Sequence, residues 1–289
     1  AAAIYVVRVT EDLPDYQQLA QYEPPITSRV HAGDGKLVAE FASQHRVYVP
    51  SEELPDKLIN AFISAEDSTF FEHSGVNLLA MLRGTVWNAV RGRRMTGGST
   101  ITQQTVKNML TGNERSAERK VREAILAQRL EKQFTKHQIL ELYMNEIFLG
   151  QNSYGVAAAA QTYFNKTLGQ LAPHEAAMLA SMPQAPSKYH PVLAKERLTQ
   201  RRNYVLREMR ENGYIDDATF EAEVAEPLRS VQNGDFESFR AAIPPRGYFT
   251  DEIRRQLSED FGEGEFFTGG FTVRATVDEE MQVVAARAL

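Results

Sequence analysis

The sequence predicts a mainly α domain with a small β element near its N-terminus, followed by an α+β linker region. After Pro50, apolar residues recur at the three- and four-residue spacing of helices, as Leu58, Ile59, Phe62 and Ile63 do. Residues suited to helix capping precede several of these apolar stretches. The alternating pattern typical of strands comes before Pro50 and again near the C-terminus. A helical domain with strands at its margins explains this distribution.

The main domain contains two predicted strands and a series of helices. The strands are KLVAEF (36–41) and RVYV (46–49), and Asp34-Gly35 forms a turn before them. Asn77 and Thr135 are placed to cap two of the helices, and Gly213 is placed to end the last one. Helices are predicted, in order, over 54–67, 78–90, 99–110, 114–133, 136–147, 154–165, 172–182 and 194–212.

The character of the sequence changes past Tyr214. A helix over 215–226 precedes a stretch rich in Ser, Asn and Gly that leads to Pro244-Pro245. A helix over 250–260, a turn region over 261–270, a strand over 271–277 and a terminal helix over 278–289 follow. We therefore predict three parts: 1–12 as the end of a membrane anchor or stalk, 13–213 as the main domain, and 214–289 as the linker region.

Composition narrows the class of protein and its chemistry. The 289 residues are 43% hydrophobic and 24% charged, which is typical of a globular protein with a sizeable core. The absence of cysteine excludes disulfides, thiolate metal sites and a cysteine nucleophile. The net charge is −6, yet residues 83–122 carry nine Lys or Arg against two Glu. Such a segment is either a solvated helix face or a site for phosphate, nucleic acid or an anionic membrane surface.

The first nine residues, AAAIYVVRV, are the most apolar stretch at the N-terminus. They lack the charged start and cleavage site of a signal peptide, and no apolar run approaches the roughly 20 residues of a membrane helix. The stretch fits either the end of an anchor helix or a short strand.

The stretch GGSTITQQ, residues 97–104, bunches small and amide side chains in one place. Ser99 or Thr100 can cap a helix here. That leaves Thr102, Gln103 and Gln104 as hydrogen-bonding groups around one helical turn, which we interpret as a surface for a ligand with many hydroxyls.

Two carboxylates stand in contexts that favour chemistry over simple solvation. Glu66, next to Asp67, lies close to aromatic residues, and desolvation there would raise its pKa and make it a usable proton acceptor. In AERKVREAIL, Arg119 and Glu123 share a helix face beside Lys120. The alternatives are an acidic surface pair and a surface salt bridge. Together the groups suit glycosyl transfer from a sugar pyrophosphate, because a base would activate the acceptor while cations stabilise the leaving group.

These residues carry a resemblance to a known family. E-D-x-x-F-x-x-H-x-G is present as Glu66 to Gly75, G-G-S-T-[IL]-T-Q-Q-x-x-K-N as Gly97 to Asn108, and R-K-x-x-E as Arg119 to Glu123. K-x-x-I-L-E-x-Y-L-N follows as Lys136 to Asn145, with Met144 in place of Leu, and R-R-x-x-V-L-x-x-M as Arg201 to Met209. In this order the motifs resemble the peptidoglycan glycosyltransferase module of class A penicillin-binding proteins. The resemblance implies a lysozyme-like glycosyltransferase domain, and the tail FTVRATVDEEMQ is similar to the linker before a transpeptidase domain that is absent from this chain.

The resemblance also implies roles for individual residues. Glu66 would be the general base and Glu123 a second catalytic carboxylate on the donor side. The donor is the growing glycan chain on undecaprenyl pyrophosphate, and the acceptor is lipid II. Phe70 and His73 would shape the cleft. The apolar residues of the fourth and fifth motifs have core spacing, so we interpret those motifs as mostly scaffold, with Glu141 and Asn145 as buried polar struts. The substrate-binding set is Asp67, Phe70, His73, Ser99, Thr100, Gln104, Lys107, Asn108, Arg119 and Lys120.

The resemblance further implies partners and a location. The partners are lipid II, the nascent glycan strand, the bacterial membrane and other cell-wall synthesis proteins. The chain would be anchored by one pass in the bacterial inner membrane with its catalytic domain on the periplasmic face, and residues 78–95 would lie at the membrane interface. We expect no metal site and no required cofactor, with stimulation by Mg²⁺ left open. The alternatives are a lysozyme-like hydrolase and a non-catalytic membrane scaffold; a nucleic-acid-binding module is disfavoured because only Trp87 interleaves with the cations.

Overall fold

The structure is a computed structural model, and it describes residues 13–15, 19, 22, 25, 27–42, 44–77, 98–112, 116–242 and 247–288. The predicted anchor end over 1–12, the helix over 78–90, the membrane-interface segment 78–95 and Pro244-Pro245 lie outside the described residues. Among the described helices, none is both long enough and apolar enough to cross a membrane.

The fold is mainly α and lysozyme-like, as predicted. The strands are β1 (Ser28–His31), β2 (Leu37–Phe41), β3 (His45–Arg46), β4 (Ser153–Tyr154) and β5 (Thr272–Arg274). The first helices are α1 (Asp56–Glu66), α2 (Ile101–Val106), α3 (Ala117–Gln133), α4 (Lys136–Glu146), α5 (Val156–Phe164) and α6 (Pro173–Ser181). They are followed by α7 (Lys195–Glu211), α8 (Asp217–Ala225), α9 (Tyr248–Phe261), α10 (Glu263–Thr268) and α11 (Glu279–Ala288).

The main hydrophobic core lies where α1, α6 and α7 pack together. Phe62 and Ile63 of α1 are fully buried there, as are Val205 and Leu206 of α7. Helix α6 contributes three buried alanines, whose small side chains let the neighbouring helices approach closely. This packing fixes the C-terminal end of α1, where the candidate base lies.

A second, smaller core joins the N-terminal hairpin to the C-terminal segment. Strand β1 pairs antiparallel with β2 and parallel with β5, so β1 is the central strand of three. Val30, Phe41 and Phe266 are completely buried between this sheet and α10. The boundaries of the three predicted parts stay predictions, but the hairpin within 13–213 packs with residues of 214–289.

The predicted elements match the structure at most positions. Helix α4 begins after Thr135, whose side chain accepts a hydrogen bond from Gln138 N and so caps it, as predicted. Helix α7 ends just before Gly213, which has a φ of +77° that favours glycine.

Three of the predicted elements differ in the structure, and strands β1 and β4 were not predicted. The helix over 99–110 is α-helical only to Val106 and then widens into a π-helical turn, Lys107–Thr111. The turn region over 261–270 contains helix α10, because Phe266 is buried against β1 and β2 and anchors a helical turn. The strand over 46–49 is paired only at its start, since the Asn145 side chain takes both the N–H and the C=O of Val49, at 2.9 and 2.8 Å.

Candidate active site

Glu66 is the last residue of α1, and its carboxylate lies at the centre of the candidate site. Gln104 of α2 donates a hydrogen bond from Nε2 to Glu66 Oε2 over 2.8 Å. Burial raises the pKa of the Glu66 carboxyl, while the Gln104 bond and the charge of Arg201 lower it and the neighbouring Asp67 raises it. The net direction is upward, so this carboxylate has a stronger affinity for a proton than an exposed glutamate.

Asp67 holds three segments of the site together. It is buried, and its Oδ2 accepts a hydrogen bond from Ile101 N at the start of α2 over 3.0 Å. His73 Nε2 lies 3.0 and 2.9 Å from its two carboxylate oxygens. Because its oxygens already have protein partners, Asp67 positions the first turn of α2 next to Glu66.

Phe70 lies beneath the site and not on its surface. Its ring is fully buried and meets the His73 ring edge-on at a centroid distance of 6.2 Å. Lys136 Nζ lies 4.4 Å from the centre of the Phe70 ring and donates to the backbone oxygen of His73 over 2.7 Å. The expectation that Phe70 binds substrate is therefore corrected to a supporting role, and His73 supports the same loop.

The polar turn over 99–104 has a different explanation from the one predicted. Thr100 is 2% exposed; its hydroxyl donates to Gly75 O over 2.7 Å and accepts from Gln103 N over 3.1 Å. The Gln103 side-chain oxygen accepts a hydrogen bond from Thr100 N, and the Thr102 hydroxyl donates to Glu131 over 2.6 Å. These polar groups are thus satisfied inside the protein, so Thr100 is a helix cap. The interpretation of the whole turn as a ligand surface is wrong.

The cationic cluster of the site is centred on a buried carboxylate. Glu123 has a side chain with 0% exposure and forms ion pairs with Arg119 and Lys120, the latter at 2.6 Å. Lys120 Nζ also donates to Ser99 Oγ over 3.0 Å, and half of the Lys120 side chain stays exposed. Glu123 therefore holds the two cations in place, and Lys120 and Ser99 remain accessible to a ligand.

Lys107 and Asn108 lie in the π-helical turn that follows α2. Lys107 is partly buried and Asn108 is exposed. The turn closes at Gly112, whose N–H donates to Lys107 O over 3.0 Å and whose φ of +68° favours glycine. The two residues follow Gln104 closely in the chain, in the turn that continues its helix.

Sequence reasoning missed Arg201 and Tyr143. Both belong to the fourth and fifth motifs, which were interpreted as scaffold. That interpretation holds for Asn145 and for Arg202, whose guanidinium donates to Glu226 O over 2.7 Å and to Val224 O over 3.1 Å. The charge of Arg201, by contrast, acts on Glu66, and the Tyr143 hydroxyl is buried near Glu66 and Asp67. The Arg-Arg doublet could not show which of its members faces the site.

The five motifs meet in this region through direct or electrostatic contacts. Within the described residues there is no group of three or more His, Asp or Glu arranged to hold a metal ion. The arrangement consists of a desolvated carboxylate, an amide donor to it and a nearby cluster of cations. Such a site can remove a proton from a hydroxyl and stabilise negative charge on a departing group.

Comparison with known proteins agrees with the fold. A family model described as Transglycosylase matches residues 34–210. The chain therefore belongs to the transglycosylase family, as the glycosyltransferase module of class A penicillin-binding proteins.

Individual relatives narrow the similarity further. Penicillin-binding protein 1A of Rickettsia prowazekii is 41% identical over 99% of this chain and 36% of that protein. Penicillin-binding protein 1A of Aquifex aeolicus is 38% identical over 99% of this chain and 38% of that protein. The 2.6 Å crystal structure of penicillin-binding protein 1A from Haemophilus influenzae aligns with a TM-score of 0.53 and 29% identity, over 93% of this chain and 29% of that one. The chain thus spans about a third of the length of these relatives.

Proposed function

We propose that the chain polymerises lipid II into β-1,4-linked glycan strands, with inversion at the anomeric carbon and undecaprenyl pyrophosphate as the leaving group. The observation that carries this proposal is the desolvated Glu66 carboxylate, held by Gln104 at 2.8 Å and accompanied by the Arg119–Lys120–Glu123 cluster. A hydrolase cleft needs the carboxylate but has no need of the cations.

In this mechanism Glu66 removes the proton from the 4-hydroxyl of the acceptor sugar. The acceptor oxygen then attacks the anomeric carbon of the donor, and the bond to the pyrophosphate oxygen breaks. The raised pKa of Glu66 suits a group that must take a proton and later release it. A single displacement of this kind inverts the anomeric configuration.

The cations act on the leaving group. Lys120 is accessible while its ammonium is oriented by Glu123 and Ser99, and Arg119 is oriented by the same carboxylate. Oriented cations stabilise the charge that develops on the pyrophosphate without rearranging during the reaction. No step of this mechanism requires a cofactor. Any stimulation of polymerisation by Mg²⁺ can be measured by removing divalent cations with EDTA and then restoring Mg²⁺.

The test is a polymerisation assay with purified protein and fluorescent lipid II. Glu66→Gln keeps the size of the side chain but cannot accept the proton, so we expect at least ~100-fold slower polymerisation. Glu72→Gln, in the exposed loop that follows the same helix, is the matched control and should stay near wild-type activity. Near-normal polymerisation by a folded Glu66→Gln protein would refute the assignment.

The same preparation separates the alternatives. Release of fragments from cell-wall sacculi, with no polymer from lipid II, would identify a hydrolase. We further propose that the protein acts at the outer face of the bacterial inner membrane, beside other cell-wall synthesis proteins, because its proposed substrates are lipid-linked and its motifs resemble those of enzymes of that setting. Binding to vesicles that contain lipid II, but not to nucleic acid, tests this setting.

A further inference from the structure

Glu131 and Lys136 form an ion pair where the chain turns from α3 into α4. Lys136 Nζ donates to Glu131 Oε1 over 2.7 Å, and both side chains are largely buried. A buried ion pair contributes little net stability as such, because taking the two ions out of water costs about as much as their attraction returns. Each member of this pair, however, also bonds to a different part of the candidate site.

Glu131 bonds to the helix that carries Gln104. The Thr102 hydroxyl of α2 donates to Glu131 Oε1 over 2.6 Å, so one carboxylate oxygen receives both Thr102 and Lys136. Helix α2 packs against α3 and α4. Because α2 has only six residues, the position of its Gln104 next to Glu66 depends on such contacts with its neighbours.

Lys136 bonds to the loop that follows α1. Its ammonium donates to His73 O over 2.7 Å. The His73 ring lies 2.9 Å from Asp67 Oδ2, and the same oxygen accepts a hydrogen bond from Ile101 N over 3.0 Å. The loop after α1 and the start of α2 are therefore both connected to the ion pair.

Helix α3 connects the pair to the cationic cluster. Its first two turns carry Arg119, Lys120 and Glu123, and its last turn carries Glu131. The ion pair thus joins the elements around the proposed base to the helix that carries the proposed leaving-group cations.

We propose that Glu131 and Lys136 are positioning residues, which fix the distance between the Glu66 carboxylate and the cationic cluster on α3. The inference rests on the proposed glycosyl transfer. In that step the acceptor hydroxyl gives its proton to Glu66, its oxygen bonds to the anomeric carbon, and the electrons of the broken donor bond leave on the pyrophosphate oxygen. Both ends must be aligned at once, and a misplacement of about 1 Å can slow a reaction roughly 100-fold.

The experiment compares two double variants in the lipid II polymerisation assay. Glu131→Gln/Lys136→Met removes both charges and so leaves no uncompensated ion in the interior. The matched control is Glu175→Gln/Lys166→Met, because that pair is also 2.7 Å long and its lysine also stands over a phenylalanine ring. Its lysine is 30% and its glutamate 4% exposed, against 20% and 6% in the first pair. The control pair links the turn after α5 to the start of α6, outside the five motifs.

The readouts are kcat, KM and the free energy of unfolding. Glu131→Gln/Lys136→Met should lose at least ~10-fold in kcat with KM for lipid II near its wild-type value, because alignment matters more in the transition state than in binding. Glu175→Gln/Lys166→Met should keep the wild-type kcat. Chemical denaturation should show similar losses of stability in both, so that a difference in kcat reports on the site.

A pair of single substitutions tests the bond to α2 even if a double variant fails to fold. Thr102→Val removes the hydroxyl that bonds to Glu131. Thr105→Val is its control, because Thr105 is equally buried but its hydroxyl donates to Ile101 O of its own helix over 3.0 Å. Thr102→Val should lower kcat at least about threefold at unchanged KM, whereas Thr105→Val should not.

Two outcomes overturn the inference and leave the proposed function standing. One is an equal kcat within each matched set of variants. The other is a change confined to KM, which would make Lys136 a contact for an anionic part of the substrate. Glu66→Gln is measured alongside, and if it polymerises normally, the proposed function itself fails and the inference with it.

Discussion

Glu66 is an ionisable group held in a place that disfavours its charge. The pKa of Glu66 is raised chiefly by burial, so folding favours the protonated carboxyl. The requirement for a base in a water-poor cleft therefore conflicts with the stability of the folded chain. Proteins commonly retain such conflicts where chemistry needs them.

This conflict has a measurable pH dependence. A group whose folded pKa lies above its unfolded pKa contributes stability that is present at low pH and is lost as the pH rises through the folded pKa. The Glu66→Gln variant cannot ionise at this position, so its free energy of unfolding at neutral pH should exceed that of wild type by about 1 kcal/mol. The gain should vanish in acid. Chemical denaturation at several pH values measures it, and an equal difference at every pH would contradict the argument.

Lys120 is the accessible member of the cationic cluster. Lys120→Ala should weaken binding of the phosphoglycolipid moenomycin, which mimics the donor in this family, by roughly 1.5–3 kcal/mol, because it removes a charge-assisted hydrogen bond to phosphate. Lys107→Ala should do the same. Lys132→Ala, exposed at the far end of α3, serves as the control. Wild-type affinity in both variants would place the phosphates elsewhere.

At the scale of elements, the start of α2 connects the motifs of the site. Its cap Thr100 bonds to Gly75 O, its first N–H bonds to Asp67, and its Gln104 bonds to Glu66. A short helix of six residues has little stability of its own and depends on these contacts. Disturbing its cap should therefore move Gln104 away from the base.

A matched pair of capping residues tests this dependence. Thr100 and Thr135 both form capping boxes with a glutamine three residues later, but Thr100 is buried in the site and Thr135 is exposed at the start of α4. Each change to Ala should cost about 1 kcal/mol of stability. Thr100→Ala should also slow polymerisation, whereas Thr135→Ala should not. Equal activities in the two variants would show that the cap is not connected to the site.

The same elements show how far the sequence could predict the structure. Periodicity and capping residues predicted most of the helices, and motif spacing brought forward Glu66, Gln104 and Lys120. Motif spacing could not show that the hydroxyls of Thr100 and Thr102 donate to partners inside the protein, because those partners, Gly75 and Glu131, are distant in sequence. The electrostatic effect of Arg201 on Glu66 was hidden for the same reason. Local patterns indicate elements, but the partners of polar groups depend on tertiary packing.

At the scale of the whole molecule, the C-terminal segment is part of the N-terminal hairpin's sheet. Strand β5 pairs with β1, and Phe266 fills the small core beneath them. The relatives extend well beyond the matched length, since this chain spans about a third of each. Through the β1–β5 pairing and Phe266, the segment past Gly213 packs against the N-terminal hairpin of the glycosyltransferase module.

The chain as given should not react with penicillin. Acylation by a β-lactam in penicillin-binding domains uses a Ser-x-x-Lys nucleophile with a Lys-Thr-Gly strand. No serine in this sequence has lysine three residues later, and Lys166-Thr167 is followed by Leu168. A fluorescent penicillin should leave no covalent band on this protein, while a full-length relative run beside it should be labelled. Stoichiometric labelling would reveal an acylation site that the sequence does not display.

The parallel pairing of β1 with β5 also means that β1 is synthesised long before the strand that covers its edge. Phe271 N bonds to Ser28 Oγ across 243 positions of sequence. At a synthesis rate of about 5–20 residues per second, roughly 12–50 seconds separate the appearance of β1 from that of its partner. During that interval the edge of β1 and the apolar side chains of Val30 and Phe41 have no cover from β5 and Phe266. The nascent hairpin thus offers an uncovered strand edge at which a chaperone could bind or two unfinished chains could join.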